Sequence, residues 1–108
     1  MWDTLLTLLK LCSLDMVPSG SINSFQINGK EVIVINKDNQ LFCLQGRCTH
    51  AGAPLVEGTV EGEILTCPWH GSKFRITNGE VVGGPAKKNL RVYNFTINND
   101  FLFIESEQ

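Results

Sequence analysis

Four residues of this 108-residue chain stand where they could do chemistry. Cys48 and His50 lie in "CTHAGAPL", and Cys67 and His70 lie in "CPWHGSKF". They include both histidines and two of the four cysteines of the chain. Cys48-x-His50 and Cys67-x-x-His70 each let one tight turn present a thiolate and an imidazole to the same metal centre. Both loops also hold a proline, Pro54 and Pro68, which stiffens the backbone around the ligand candidates. With both imidazoles committed to metal, no Ser-His-Asp arrangement remains, and no carboxylate pair stands out for acid–base catalysis.

On the residues alone, two metal readings stay open. A structural zinc site would be tetrahedral and closed, and its usual spacings pair cysteine with cysteine and histidine with histidine along the chain. Each cluster here is mixed. A two-iron, two-sulfide centre with two thiolates on one iron and two imidazoles on the other accounts for the mixing. Two facing loops would each give one ligand to each iron.

The segments that must carry these loops are short and alternate between apolar and polar. "SFQINGKEVIVI" reads as a hairpin with Asn28-Gly29 as a type I′ turn. Lys37-Asp38-Asn39 marks the next turn, leading into a strand through Leu41, Phe42 and Leu44. "EILTC" reads as a strand running into Cys67. "KFRITNGEVV" turns at Asn78-Gly79, and "RVYNFTINNDFLFIE" turns at Asn98-Asn99-Asp100. At the start, Trp2, Leu5, Leu6 and Leu9 fit a helical face, while Leu5, Thr7, Leu9 and Leu11 fit a strand face. A strand from about Leu6 is the expectation. The spacing therefore predicts an all-β fold, an antiparallel sandwich or barrel. It is read as one domain over 1–108, with residues about 46–75 as an inserted, loop-rich tip.

A chain of 108 residues can bury one core without disulfides, and 43% hydrophobic residues exclude the disordered class. A net charge of −2 with no basic run argues against nucleic acid as a partner. In "MWDTLLTLLKLC", Asp3 precedes the apolar stretch and Thr7 and Lys10 interrupt it, so it reads neither as a secretory signal nor as a membrane span. A cytoplasmic protein without a membrane anchor is expected. Cys12 and Cys43, in expected strands, then read as buried free thiols.

At "CTHAGAPL" and "CPWHGSKF" the chain resembles the Rieske iron–sulfur proteins, matching their C-x-H-x-G-x-x-L and C-P-x-H-G-S-x-F boxes. "LCSLDMVPSGSINSFQINGKEVIVIN" resembles the first strands of that family, and "GGPAKKNLRVYNFTINNDFLFIE" resembles its proline loop and closing strands. The resemblance implies a Rieske fold and one [2Fe–2S] cluster. It also implies that Cys48 and Cys67 bind the buried iron, and His50 and His70 the solvent-side iron. Around them, Ser72, Trp69, Phe74 and Pro85 would form the cluster's surroundings. Imidazole ligation makes an added electron less costly than all-thiolate ligation, and the potential is expected to fall with pH in alkaline solution.

Departures from the respiratory members narrow the setting. The two extra cysteines that those proteins join as a disulfide are here Ala53 and Trp69. Their sulfur-bonding tyrosine is here Phe74, which donates nothing, although Ser72 is kept. Losing a donor destabilises the reduced, more negative state. The potential is expected in the lower half of the Rieske range of roughly −150 to +300 mV.

The resemblance then points to soluble members. The expected function is a monomeric electron carrier, not itself an enzyme, that docks transiently with a flavin-dependent reductase and a terminal oxygenase. A Rieske small subunit of a reductase such as assimilatory nitrite reductase is the alternative, and a zinc-stapled interaction module is the alternative of another class. Arg47, Lys73, Arg75, Lys87 and Lys88 lie in or near the loops expected at the tip; an ordinary solvated surface is the favoured reading of them, and a positive collar that steers an acidic redox partner is the sharper one. Gly83-Gly84-Pro85 lacks the lysine and helix of a phosphate loop and reads as a tight cover over the site.

Overall fold

A computed structural model describes residues 6–107 of the chain. The helix-or-strand ambiguity at Trp2–Leu5 lies outside the described residues. From Leu6 onward the chain is extended, as expected. The strands are β1 Leu6–Ser13, β2 Ile22–Ile27, β3 Lys30–Lys37, β4 Gln40–Gln45, β5 Thr59–Glu61, β6 Ile64–Thr66, β7 Lys73–Arg75, β8 Val81–Gly83, β9 Phe95–Asn98 and β10 Phe101–Glu107. Single 3₁₀ turns at Leu14–Met16 and Leu55–Glu57 are the only helical pieces among the described residues.

Asn and Asp set the hairpins. The β2–β3 turn has φ 50° at Asn28 and 77° at Gly29. The β3–β4 turn has 53° at Asp38 and 70° at Asn39, and the β9–β10 turn has 51° at Asn99 and 66° at Asp100. Both central residues are left-handed in each, the requirement of a type I′ turn whose twist matches the flanking strands. Asn and Asp adopt that region at less cost than other non-glycine residues because their short polar side chains bond locally.

Three antiparallel sheets result, ordered β1-β10-β9, β2-β3-β4 and β5-β6-β7-β8. A register shift between Lys10 and Cys12 bends β1 as it pairs with β10. The run Val32-Ile33-Val34-Ile35 in β3 is buried on both faces. Alternation sends Ile33 and Ile35 into one core, with Leu44, Leu65 and Phe74. Val32 and Val34 enter the other, with Cys43, Leu102 and Ile104. The middle sheet is thus a partition. The terminal sheet packs on one side of it, and the small four-stranded sheet packs on the other. Burying each such side chain is worth about 1.5–3 kcal/mol relative to exposure.

Residues 90–93 run along the open side of β4 and close it. Gln45 N–H donates to Arg91 O at 2.9 Å, and Tyr93 N–H donates to Cys43 O at 2.9 Å. The four-stranded sheet extends beyond the loop-rich span expected at 46–75, because β8 pairs with β7 and completes it. No helix among the described residues is long and apolar enough to cross a membrane.

Candidate metal centre

The first candidate loop leaves β4 at Gln45 and folds back on itself. Cys48 N–H donates to Ala53 O at 3.0 Å, and Gly52 N–H donates to Cys48 O at 2.9 Å. An isolated bridge joins Arg47 to Pro54. Ala53 and Leu55 are fully buried beneath this turn. The second loop runs from β6 into Cys67, whose N–H donates to Ser72 O at 2.8 Å before the chain enters β7.

These turns bring the four expected residues to one place. Cys48 and Cys67 are buried, and both belong to the same core as Leu65 and Phe74. His50 and His70 are exposed. Their rings meet edge to face, with centroids 5.4 Å apart and planes at 83°. The two thiols face inward and the two imidazoles sit outside them.

Burial pushes the Cys67 thiol above its ordinary value, and the neighbouring Cys48 side chain pushes it the same way. The backbone N–H groups of Trp69 and His70 point at the Cys67 sulfur and oppose that shift. Donors of this kind stabilise negative charge on the sulfur. The turn thus supplies, without any charged side chain, part of what a metal-bound thiolate needs.

The donor set bears on the two metal readings. Among the described residues, no group of three or more His, Cys, Asp or Glu side chains is placed to hold one metal ion. A closed zinc site needs four on one ion. Two buried thiols and two exposed imidazoles instead suit a centre that takes two protein ligands on each of two irons.

Residues around the four also find defined places. Ser72 is fully buried, and its Oγ accepts from Ala86 N–H at 3.1 Å, which leaves its own hydrogen free to be donated. Phe74 is fully buried in the core below. Pro85 is exposed, and Trp69 is 54% exposed beside the imidazoles instead of packed over the loop. The Gly83-Gly84-Pro85 loop does cover the second ligand turn. Gly84 has φ 77°, and a Cβ there would strike the backbone of Ser72. Thr49 Oγ1 donates to Lys88 O at 2.7 Å and ties this cover to the first ligand turn.

The five cations near the tip are only partly paired. Arg75 lies between Glu80 at 3.6 Å and Glu63 at 3.9 Å, carboxylates brought alongside it by the β6–β7–β8 pairing. Lys73 Nζ donates to Thr66 Oγ1 at 3.2 Å. Arg47 pairs with Glu31 at 2.9 Å. Of the five, Lys73, Lys87 and Lys88 face no carboxylate in an ion pair among the described residues. Spacing along the chain could not reveal the Glu31–Arg47 pair, because the two residues meet only through the β3–β4 hairpin and the turn after it.

Comparison with known proteins agrees with this geometry. Residues 7–94 match the family model described as the Rieske [2Fe-2S] domain. The chain is 33% identical over 93 residues to the biphenyl dioxygenase ferredoxin subunit of Pseudomonas sp. (strain KKS102), covering 85% of each. Its fold superposes on the Sphingomonas yanoikuyae B1 ferredoxin with a TM-score of 0.86 at 29% identity, covering 93% of this chain and 99% of that one. It also matches, at a TM-score of 0.80 and 24% identity, a chain of the complex of reduced oxygenase and oxidized ferredoxin in carbazole 1,9a-dioxygenase, covering 94% of each chain.

Proposed function

The chain belongs to the Rieske [2Fe-2S] domain family, and on that premise we propose that Cys48 and Cys67 hold the inner iron of its cluster and His50 and His70 the outer one. Bound there, a [2Fe–2S] cluster stores and releases one electron at a time. The protein is an electron carrier of the Rieske ferredoxin type and performs no chemistry on a substrate. We read residues 1–108 as one domain built for that task.

The observation that carries the ligand assignment is the division into buried thiols and exposed imidazoles within one site. The buried pair, walled by Leu65 and Phe74, keeps water from the inner iron. The exposed pair puts the outer iron within reach of another protein, and His50 and His70 are the exit for the electron. Trp69 and Pro85, both exposed, give that exit an apolar rim. A terminal oxygenase and a flavin-dependent reductase are the partners we infer, docking in turn on this rim. The interface would be of the small, transient class, under about 1,200 Å², and the carrier a monomer. A cytoplasmic setting fits four free, buried cysteines.

The test is made on protein purified without added metal. Visible absorption should show a red-brown chromophore bleached by dithionite. The reduced protein should give a rhombic EPR signal with lower average g than all-cysteine clusters give. A colourless protein holding about one zinc per chain, the content of a closed structural site, would sink the assignment.

A further inference from the structure

Arg47 and Glu31 do more than decorate the surface beside the first ligand turn. The Arg47 guanidinium donates through Nε to Glu31 Oε1 at 2.9 Å, holds Nη2 at 2.9 Å from the same oxygen as an ion pair, and donates through Nη1 to Gly52 O at 3.2 Å. Arg47 immediately precedes Cys48, and Gly52 follows His50 by two residues. One guanidinium therefore ties the two ends of the turn that presents Cys48 and His50. The anchor beneath it is firm. The Glu31 side chain is only 10% exposed and also accepts from Ser24 Oγ at 2.9 Å. Glu31 O accepts from Gly46 N–H at 2.8 Å. Gly46 permits that approach, because a Cβ there would sit 2.7 Å from Glu31 Cγ.

We propose that Arg47 and Glu31 are positioning residues that hold the first ligand turn rigid and whose pairing keeps net charge away from the redox centre. The proposal rests on the assignment of Cys48 and His50 as ligands. Two consequences separate it from a merely structural role. Removing either partner loosens the same turn, so both losses act in one direction on rigidity. They act in opposite directions on charge. Without Glu31 an unpaired cation stands next to Cys48 and favours the added electron. Without Arg47 a nearly buried carboxylate is left unpaired and disfavours it.

The experiment compares the iron-loaded wild type with Arg47→Gln, Glu31→Gln, Arg47→Lys and the Glu31→Gln/Arg47→Gln double variant. It measures cluster loss to a chelator, hydrogen exchange of the peptide spanning residues 46–54, and the midpoint potential. Each single glutamine variant should lose its cluster about tenfold faster, the effect of one charge-assisted hydrogen bond, and exchange faster over 46–54. The potential should fall in Arg47→Gln, rise in Glu31→Gln and return toward wild type in the double variant. Arg47→Lys should keep the potential near wild type while remaining labile, because an ammonium cannot reach Glu31 and Gly52 together as the planar fork does. Wild-type exchange and cluster retention in both Arg47 variants would overturn the strut. Potentials moving the same way in both single glutamine variants would overturn the charge balance. A wild type without the rhombic signal would instead overturn the ligand assignment itself.

Discussion

The chain buries two cysteine pairs, one in each core, and treats them differently. Cys12 and Cys43 lie in β1 and β4, packed among Val32, Val34 and Leu102. Burial, and after it the proximity of Cys12, pushes the Cys43 thiol up to about 12. Nothing in that environment offers the sulfur a hydrogen bond, because strand amides are spent on neighbouring strands. Cys48 and Cys67 are equally buried but sit where strands give way to turns. There the amides of Trp69 and His70 are free to point at sulfur, and an imidazole follows each cysteine within three residues. Burial alone makes a thiol inert. Burial on a turn whose amides point at the sulfur stabilises the thiolate that a metal needs.

The sharpest way to break this comparison is substitution at each pair. Cys48→Ser or Cys67→Ser should leave purified protein colourless, with iron at background and no EPR signal after dithionite. Cys12→Ala and Cys43→Ala should keep the full visible spectrum at some cost in stability. A coloured Cys67→Ser protein would dissolve the distinction.

Next in size is the cover over the ligand side. Gly84→Ala forces a left-handed alanine into the Ser72 backbone and should cost about 3 kcal/mol, a melting shift of roughly 10–20 °C. Gly20→Ala, at φ 86° with open space around it, should cost only about 1 kcal/mol from the backbone conformation alone. Calorimetry of the two variants measures the difference.

The inert pair has its own signature in alkali. A thiol whose folded-state value is raised from 9.0 to about 12 stays neutral in the native protein while the unfolded chain ionises. Its stabilising contribution is therefore complete below pH 9 and is lost as pH rises toward 12. Near pH 10.5 the loss should be about 2 kcal/mol in denaturant titrations, and Cys43→Val should flatten that part of the profile.

The smallest expected effect is at Ser72. Ser72→Ala should retain the cluster and lower its reduction potential by roughly 40 mV, the equivalent of about 1 kcal/mol for one lost hydrogen bond to sulfur. An unchanged potential in voltammetry would mean that the Ser72 hydroxyl donates elsewhere.

The four candidate ligands and the all-β class were legible because they are written in local patterns. Cys48-x-His50 and Cys67-x-x-His70 are short-range spacings, and strand alternation and Asn-Gly or Asn-Asp turns are short-range rules. The double burial of β3 does not show there, because its segment reads as one of the alternating strands. Side-chain partners between distant segments were not legible. Strand pairing sets Glu31, Glu63 and Glu80 against Arg47 and Arg75, and no spacing along the chain shows those pairs. The cover by the Gly83-Gly84-Pro85 loop was legible, whereas its tie from Thr49 to Lys88 joins residues far apart along the chain.

By itself, then, the amino-acid sequence determined which atoms can bind metal and that short turns present them, since both follow from residue type and spacing of a few positions. The tertiary structure shows the packing that turns the thiols to the core and the imidazoles to solvent, as the resemblance of the two boxes implied. It alone decided that Cys67 meets free amides while Cys12 and Cys43 meet aliphatic walls, and that Arg47 spends its charge on a nearly buried carboxylate. Those outcomes rest on contacts between residues far apart in the chain, and only the packing of three sheets brings such residues together.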